Sequence, residues 1–282
     1  MIPLVRSMTL TIASAAMLVA APTTNYLDRA LAAWKAGEQT NALALVDLAV
    51  AAEPKATRPL NFRAQIRSLM GLRAEGIADV SSALALEPKS AWLYHERAEH
   101  RFRAGDFAGS CEDFAKSDAL SPQRAAHNWQ YGIALYYAGR FVDGKKLFEL
   151  HQTVNPQDVE NAAWHFLCVA RIEGVEKARA VLIPIAGDTR IPMRQVQALF
   201  AGTGTEADVF KAADAGDADV QTGQKFYAHL YVGLYHEAAG RNEAAALEIR
   251  QAAVLARYGG YMGEVARVHA AKLDQEAAVK GK

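Results

Sequence analysis

Apolar and small residues recur along most of this chain at the spacing of amphipathic helices, and the pattern repeats every 34 residues. Pro54, Pro88, Pro122 and Pro156 keep that interval, as do Gly37, Gly71, Gly105 and Gly139. Each period can be numbered so that its glycine is position 15 and its proline position 32. Small residues then fall at position 8 (Ala30, Ala64, Ala98, Gly132), at position 20 (Ala42, Gly76, Ser110, Gly144) and, His151 excepted, at position 27 (Ala49, Ala83, Ser117). Position 24 is bulky and apolar: Val46, Val80, Phe114, Phe148. This predicts pairs of antiparallel helices, with glycine in the tight turn and proline after the second helix, which it cannot continue. Small residues mark where the paired helices approach closely. Gly76 and Gly144 inside predicted helices would each cost about 1 kcal/mol relative to alanine, a cost that close packing offsets.

The positions quoted resemble the tetratricopeptide repeat (TPR), whose pattern places small residues at 8, 20 and 27 and proline at 32. The resemblance implies an all-α, right-handed α-solenoid of TPR helical hairpins. Four repeats cover residues 23–156, a fifth (158–185) lacks one residue in its turn, and a sixth spans 226–257, with Gly233, Gly240, Ala245 and Ala252 in register. Where the family usually has tryptophan at position 4, this chain has Tyr26, Leu60, Tyr94 and Asn128. A narrower set of residues, Gly132-Ile133-Ala134-Leu135-Tyr136-Tyr137-Ala138-Gly139-Arg140, Asn155-Pro156-Gln157-Asp158, Leu199-Phe200-Ala201-Gly202 and Phe226-Tyr227, resembles the periplasmic NlpI-like TPR proteins. That resemblance implies an anchored, homodimeric adaptor that brings cell-wall enzymes to a processing protease.

Between the fifth and sixth repeats, residues 190–201 are expected to be helical, with Val196, Leu199 and Phe200 as the apolar stripe. Thr203 and Glu206 suggest a capping box opening a second helix to about residue 215, and the Asp-, Ala- and Gly-rich residues 214–224 suggest a loop. After Gly259-Gly260, an amphipathic helix from Tyr261 to about Ala278 would cap the stack, whose last repeat has no neighbour to cover it. The predicted organisation is therefore a signal peptide over 1–20, repeats one to five over 21–186, a helical insertion and loop over 187–225, and a final repeat with capping helix over 226–282.

Composition narrows the functional classes. Hydrophobic residues make up 51% of the chain, and Lys+Arg 31 balance Asp+Glu 31, so a packed core is affordable and the basic field that nucleic-acid binding needs is missing. No nucleic-acid partner is expected. At the N-terminus, Arg6 precedes roughly 12 apolar residues, too few to span a bilayer. The segment has the character of a secretory signal, cut at the Ala20–Ala21 bond, which predicts an exported protein, periplasmic or secreted. A cytosolic protein with an apolar start is the other reading. Ala21 stands where a lipoprotein would carry its cysteine, so no stable membrane anchor is expected. Cys111 and Cys168 lie in non-adjacent repeats and are expected to be buried thiols.

At 100° per residue, positions 2, 5, 9, 12 and 13 of each first helix share one arc, which in TPR folds lines the concave groove. Its occupants are Trp34 and Lys35 from repeat one, and Arg58, Asn61 and Gln65 from repeat two. Repeat three supplies Trp92, His95, Glu99, Phe102 and Arg103, and repeat four supplies Trp129, Ile133, Tyr136 and Tyr137. This aromatic, arginine-bearing face suits capture of another protein or peptide. The competing expectation is that a helix of the same chain, such as residues 190–215, folds back onto it. Leu27 stands where a carboxylate-clamp lysine would be needed. Enzyme-like strings fail on geometry. His95 and His100 sit five apart, 140° around a helix, and cannot share a metal as an i, i+4 pair does. Gly202-Thr203-Gly204 follows no strand, and Asp214, Asp217 and Asp219 lack calcium-loop spacing. The sequence thus points to a non-catalytic interaction scaffold without cofactor or metal. The alternatives are a structural homo-oligomer, a homodimer in its simplest form, and a hydrolase built around His95, Glu99 and His100.

Overall fold

The computed structural model describes residues 23–280, so the expected signal segment lies outside the described residues. Those described form fifteen α-helices and two short 3₁₀ turns, with no strand among them. They divide into a first unit ending at Pro54 and a second that begins at Lys55. The first unit is one hairpin, α1 (Thr23–Lys35) and α2 (Gln39–Ala52). Ala30, Ala42, Val46 and Ala49, at repeat positions 8, 20, 24 and 27, are completely buried in it.

The second unit continues the same plan with α3 (Thr57–Leu69) and α4 (Arg73–Leu86), then α5 (Ala91–Arg103) and α6 (Phe107–Leu120). The pair α7 (Trp129–Tyr137) and α8 (Phe141–Gln152) follows a 3₁₀ turn over Pro122–His127, and α9 (Val159–Glu173) and α10 (Val175–Ala180) come next. Between the members of a pair the turn glycine takes a left-handed conformation (φ +81° at Gly105) that a side chain would strain. Inside the third hairpin the Ser110 hydroxyl (position 20) donates to the Ala98 carbonyl (position 8) at 2.8 Å, so the close approach lets a side chain of one helix bond the backbone of the other.

The close approach is tightest at Gly132, where an added Cβ would fall 2.6 Å from Phe148 Cζ and 2.9 Å from Leu147 Cδ2. Alanine there should gain about 1 kcal/mol in helix propensity yet lose about 1–3 kcal/mol to overpacking. Gly223, on a later helix, has nothing within 4 Å of such a Cβ. We therefore expect Gly132→Ala to lower the urea midpoint and Gly223→Ala to raise it; a shift of the same sign in both would contradict the packing.

The repeats degrade toward the C-terminal half. The second helix of the fifth hairpin, α10, ends at Ala180 rather than continuing toward Ile185, because Pro184 cannot sit in a helix interior and biases the residue before it to extended backbone. The insertion consists of α11 (Met193–Ala201) and α12 (Glu206–Ala213). The capping box that opens α12 uses Thr205 and Asp208, not Thr203 and Glu206. Thr203 and Gly204 both give their N–H groups to the Ala198 carbonyl to close α11, so a new helix cannot begin before Thr205. The expected loop over 214–224 is half helix. The Asp217 side chain accepts from Val220 N at 3.1 Å and starts α13 (Ala218–Ala238) at the fifth residue of that segment. The chain closes with α14 (Asn242–Val254) and α15 (Tyr261–Lys280). No helix among the described residues is long and apolar enough to cross a membrane.

A shared core joins α5 to α9, α11, α13 and α15, with Trp164, Tyr231, Phe102, Phe114, Phe148, Phe166, Phe200 and Phe226 as its largest fully enclosed side chains. Cys111 and Cys168 are buried and unbridged, and burial pushes their thiols up to about 11 and about 12 respectively. His100 lies in this core at 1% exposure with neither ring nitrogen partnered. Burial, helped by the Arg103 charge, lowers it to about 4. Burial also lowers His165 and His269, against nearby Glu149 and Glu237. The unfolded chain, with histidines near 6.5, therefore takes up protons between about pH 6.5 and 4 that the native state refuses. Stability is full above that window and falls on acidification, by about 2 kcal/mol at pH 5 from His100 alone. Urea midpoints at pH 7 and pH 5 should show this loss, and His100→Leu should flatten the pH slope.

Candidate interaction face and aromatic cavity

The groove arc does not stay one continuous open surface. Asn61, Phe102, Ile133, Tyr136 and Tyr137 are buried, with Phe102 and Ile133 wholly enclosed. The structure places all five in the core, and for Phe102, Tyr136 and Tyr137 the reason is a fold-back by the same chain. The covering segment is α15, with help from α13, and not residues 190–215, which pack on α9 and α13 instead. Tyr261, the first residue of α15, stacks on Phe102 with centroids 6.1 Å apart and meets Trp129 edge-on at 5.1 Å. The Tyr137 hydroxyl shares a 3.0 Å hydrogen bond with His269 Nδ1, and the Tyr136 hydroxyl donates to Glu237 at 3.2 Å. Burial and the Glu237 charge hold both tyrosines firmly in the phenol form.

The remainder of the arc is open. Trp92 is 44% exposed at position 2 of α5, and Arg58, at position 2 of α3, is exposed too. Gln65 Nε2 reaches from α3 to Glu96 of α5 at 3.3 Å. Beneath them His95 and Arg103 both bond Glu99, at 3.3 and 2.8 Å. Burial alone would raise the Glu99 carboxyl, but these two partners hold it below its ordinary range. His95 thus bonds Glu99 on the half-buried flank of α5 while His100 points into the core, as the 140° separation requires. In the first unit, Trp34 is half-buried and Lys35 exposed.

One set of residues was legible in the period but is not part of the groove. Arg63 and Arg67 of α3 bind Asp79 of α4, each at 2.7 Å. One repeat later, Arg97 and Arg101 bind Asp113 at 2.8 and 3.0 Å. These are positions 7, 11 and 23 of successive repeats, and they tie the two helices of each hairpin by charge.

Where α15 meets α7 and α9 it leaves a cavity of ≈ 300 Å³ walled by Trp129, Phe148, Trp164, Tyr227, Tyr261 and Met262. Arg190 sits at its edge, bonded to Asp158 (2.5 Å), Glu160 (2.6 Å) and Asp188 (2.6 Å). The Tyr231 hydroxyl also donates to Glu160, at 2.6 Å. Burial raises the Glu160 carboxyl despite both partners, whereas Arg190 overrides burial and lowers Asp188. Nothing in the sequence pattern announced this cavity, because its walls come from helices far apart in the chain. No group of three or more His, Cys, Asp or Glu side chains among the described residues is arranged to hold a metal ion.

Paired antiparallel helices, small residues at the crossings and a turn glycine in register define an all-α helical-hairpin repeat protein. The chain has the tetratricopeptide-repeat fold. No family model matches it, and no curated protein matches it in sequence. Among solved structures it is similar to a tetratricopeptide repeat protein from Parabacteroides merdae, with 16% identity over 89% of this chain and 98% of that one and a TM-score of 0.57. It is also similar to MamA (17% identity, 55% of this chain and 85% of that chain, TM-score 0.50) and to a MamA RS-1 double mutant (12%, 56% and 89%, TM-score 0.51). Identities this low speak to the fold alone.

Proposed function

We propose that the chain is a non-catalytic, exported interaction scaffold that holds an extended or helical segment of a partner protein along the open face of α3 and α5. The observation that carries this reading is the exposure of Trp92 and of Arg58 at the same position of successive repeats. Tryptophan and arginine are the residue types that anchor protein interfaces, and the repeat packing does not need either one here. Export, and an adaptor role linked to envelope proteolysis or to cell-wall enzymes, extend the same proposal from the signal-like residues 1–20 and the NlpI-like segments. Cell fractionation tests the export part: recovery of the protein in the cytosol would reject it.

The test of the face is a photo-crosslinking amino acid at position 92, in the otherwise intact chain and in the producing cell. A discrete crosslink to another polypeptide, lost on Arg58→Glu, is the expected result. A crosslink to a second copy of this chain would replace the adaptor reading with self-association, and no crosslink would reject both. Trp92→Ala should leave helicity unchanged and stability within about 0.5 kcal/mol, since the side chain is half exposed.

A further inference from the structure

The aromatic cavity beneath α15 shares no residue with the α3–α5 face. Its walls are π-faces and edges, with Trp129 and Tyr261 meeting at 86°. Its polar edge is unbalanced: the carboxylates of Asp158 and Glu160 line it with the single guanidinium of Arg190, which Asp188, outside the lining, also bonds. His151 on the same wall is bonded through Nδ1 to the Ala126 carbonyl. Arg190 already spends Nε, Nη1 and Nη2 on those carboxylates, so it has little left with which to receive an anion. Two wall groups that can accept from a cation, Asn161 Oδ1 and the Tyr261 hydroxyl, are buried without a partner in the protein itself. Trp129, Tyr227 and Tyr261 are only partly buried, and Arg190 is 50% exposed, so the cavity reaches solvent.

An aromatic enclosure with excess negative charge attracts cations, by the ring quadrupoles and by Coulomb's law together. We propose that this cavity is a binding site for an organic cation, an ammonium or guanidinium group carried on a short aliphatic stem. Its volume accommodates one basic side chain or one small amine. The carboxylate of a ligand is disfavoured there by Asp158 and Glu160. This site does not depend on the α3–α5 face, and either can fail without the other.

Intrinsic tryptophan fluorescence reads the site directly, because Trp129 and Trp164 wall it. The full chain is titrated at constant ionic strength with tetramethylammonium chloride, with a blocked Gly-Lys-Gly peptide, with the same peptide acetylated on lysine, and with sodium acetate. Saturable change with a cation, and none with acetate or the acetylated peptide, is the expected result. Response to tetramethylammonium alone assigns a free small cation, and response to the lysine peptide alone assigns a side chain of another polypeptide. Affinity should fall at least tenfold in Trp129→Leu and in Tyr227→Leu. Both side chains are half-buried, so circular dichroism can confirm that each variant is folded, and ligand-observed NMR supplies a readout independent of the lost indole. No saturable response to either cation, equal response to acetate, or unchanged affinity in both folded variants overturns the proposal.

Discussion

Replacing Trp164 by alanine is expected to destabilise the second unit by about 3–5 kcal/mol, the range for removing a large aromatic from a packed core. Trp164 is 2% exposed and lies against three aromatic side chains supplied by two other helices. Tyr136 meets it edge-on at 5.4 Å, Tyr137 lies at 6.3 Å and Phe148 stacks on it at 6.4 Å. It therefore joins α9 to both helices of the preceding hairpin. Truncation would also merge its space with the aromatic cavity, which limits how far neighbours can relax to refill it. Urea unfolding followed by circular dichroism measures the change; a loss below about 1 kcal/mol would mean that α9 is not packed as described. The result also bears on the cation site, since a folded Trp164→Ala protein would have lost one of its walls.

The second large effect is expected at Asp113. Its side chain is 4% exposed, accepts from Arg97 and is ion-paired with Arg101. Asp113→Ala would leave Arg97 of α5 without a carboxylate partner and Arg101, one turn further along the same helix, with only Asp106 at 3.6 Å. Breaking a buried pair on one side costs about 3–5 kcal/mol. Both arginines keep some access to solvent, at 18% and 23%, which should bring the loss to the lower end of that range. A built-in control is Asp274, whose partner Arg250 is 50% exposed and which is itself 65% exposed. There Asp274→Ala should cost about 0–1 kcal/mol. Equal losses at the two sites would show that the repeat-internal ion pair carries no special weight.

How much of this was legible depends on sequence separation. The hairpins could be read because each contact inside them recurs at fixed positions of a 34-residue period. Ala64 and Ala98 at position 8, and Val80 and Phe114 at position 24, are completely buried for the reason the pattern suggested. The arginine–aspartate ties were written in the same period, at positions 7, 11 and 23, but charged residues are usually read as solvated surface. Local capping was less legible. Thr203 and Thr205 offer similar signals, and the choice between them is made by how α11 ends, which is a matter of two N–H groups competing for one carbonyl.

The cover over Phe102 and Tyr137 was not legible at all. Tyr137 and His269 are separated by 132 residues, and no periodicity connects α7 to α15. An aromatic face reads the same whether a partner or the chain's own terminal helix fills it. The half that α15 covers became core, and the half around Trp92 remained surface. The same closure created the cavity, with walls drawn from α7, α8, α9, α13 and α15.

That division of the inner face is the claim on which both the open α3–α5 surface and the cation site depend. It is tested most directly by nuclear Overhauser contacts between the Trp129 indole and the Tyr261 ring in protein labelled selectively at tryptophan and tyrosine. With ring centroids 5.1 Å apart, cross-peaks between the two side chains are expected. Their absence, with α15 amides exchanging as fast as an unpacked helix, would mean that the terminal helix does not close this face.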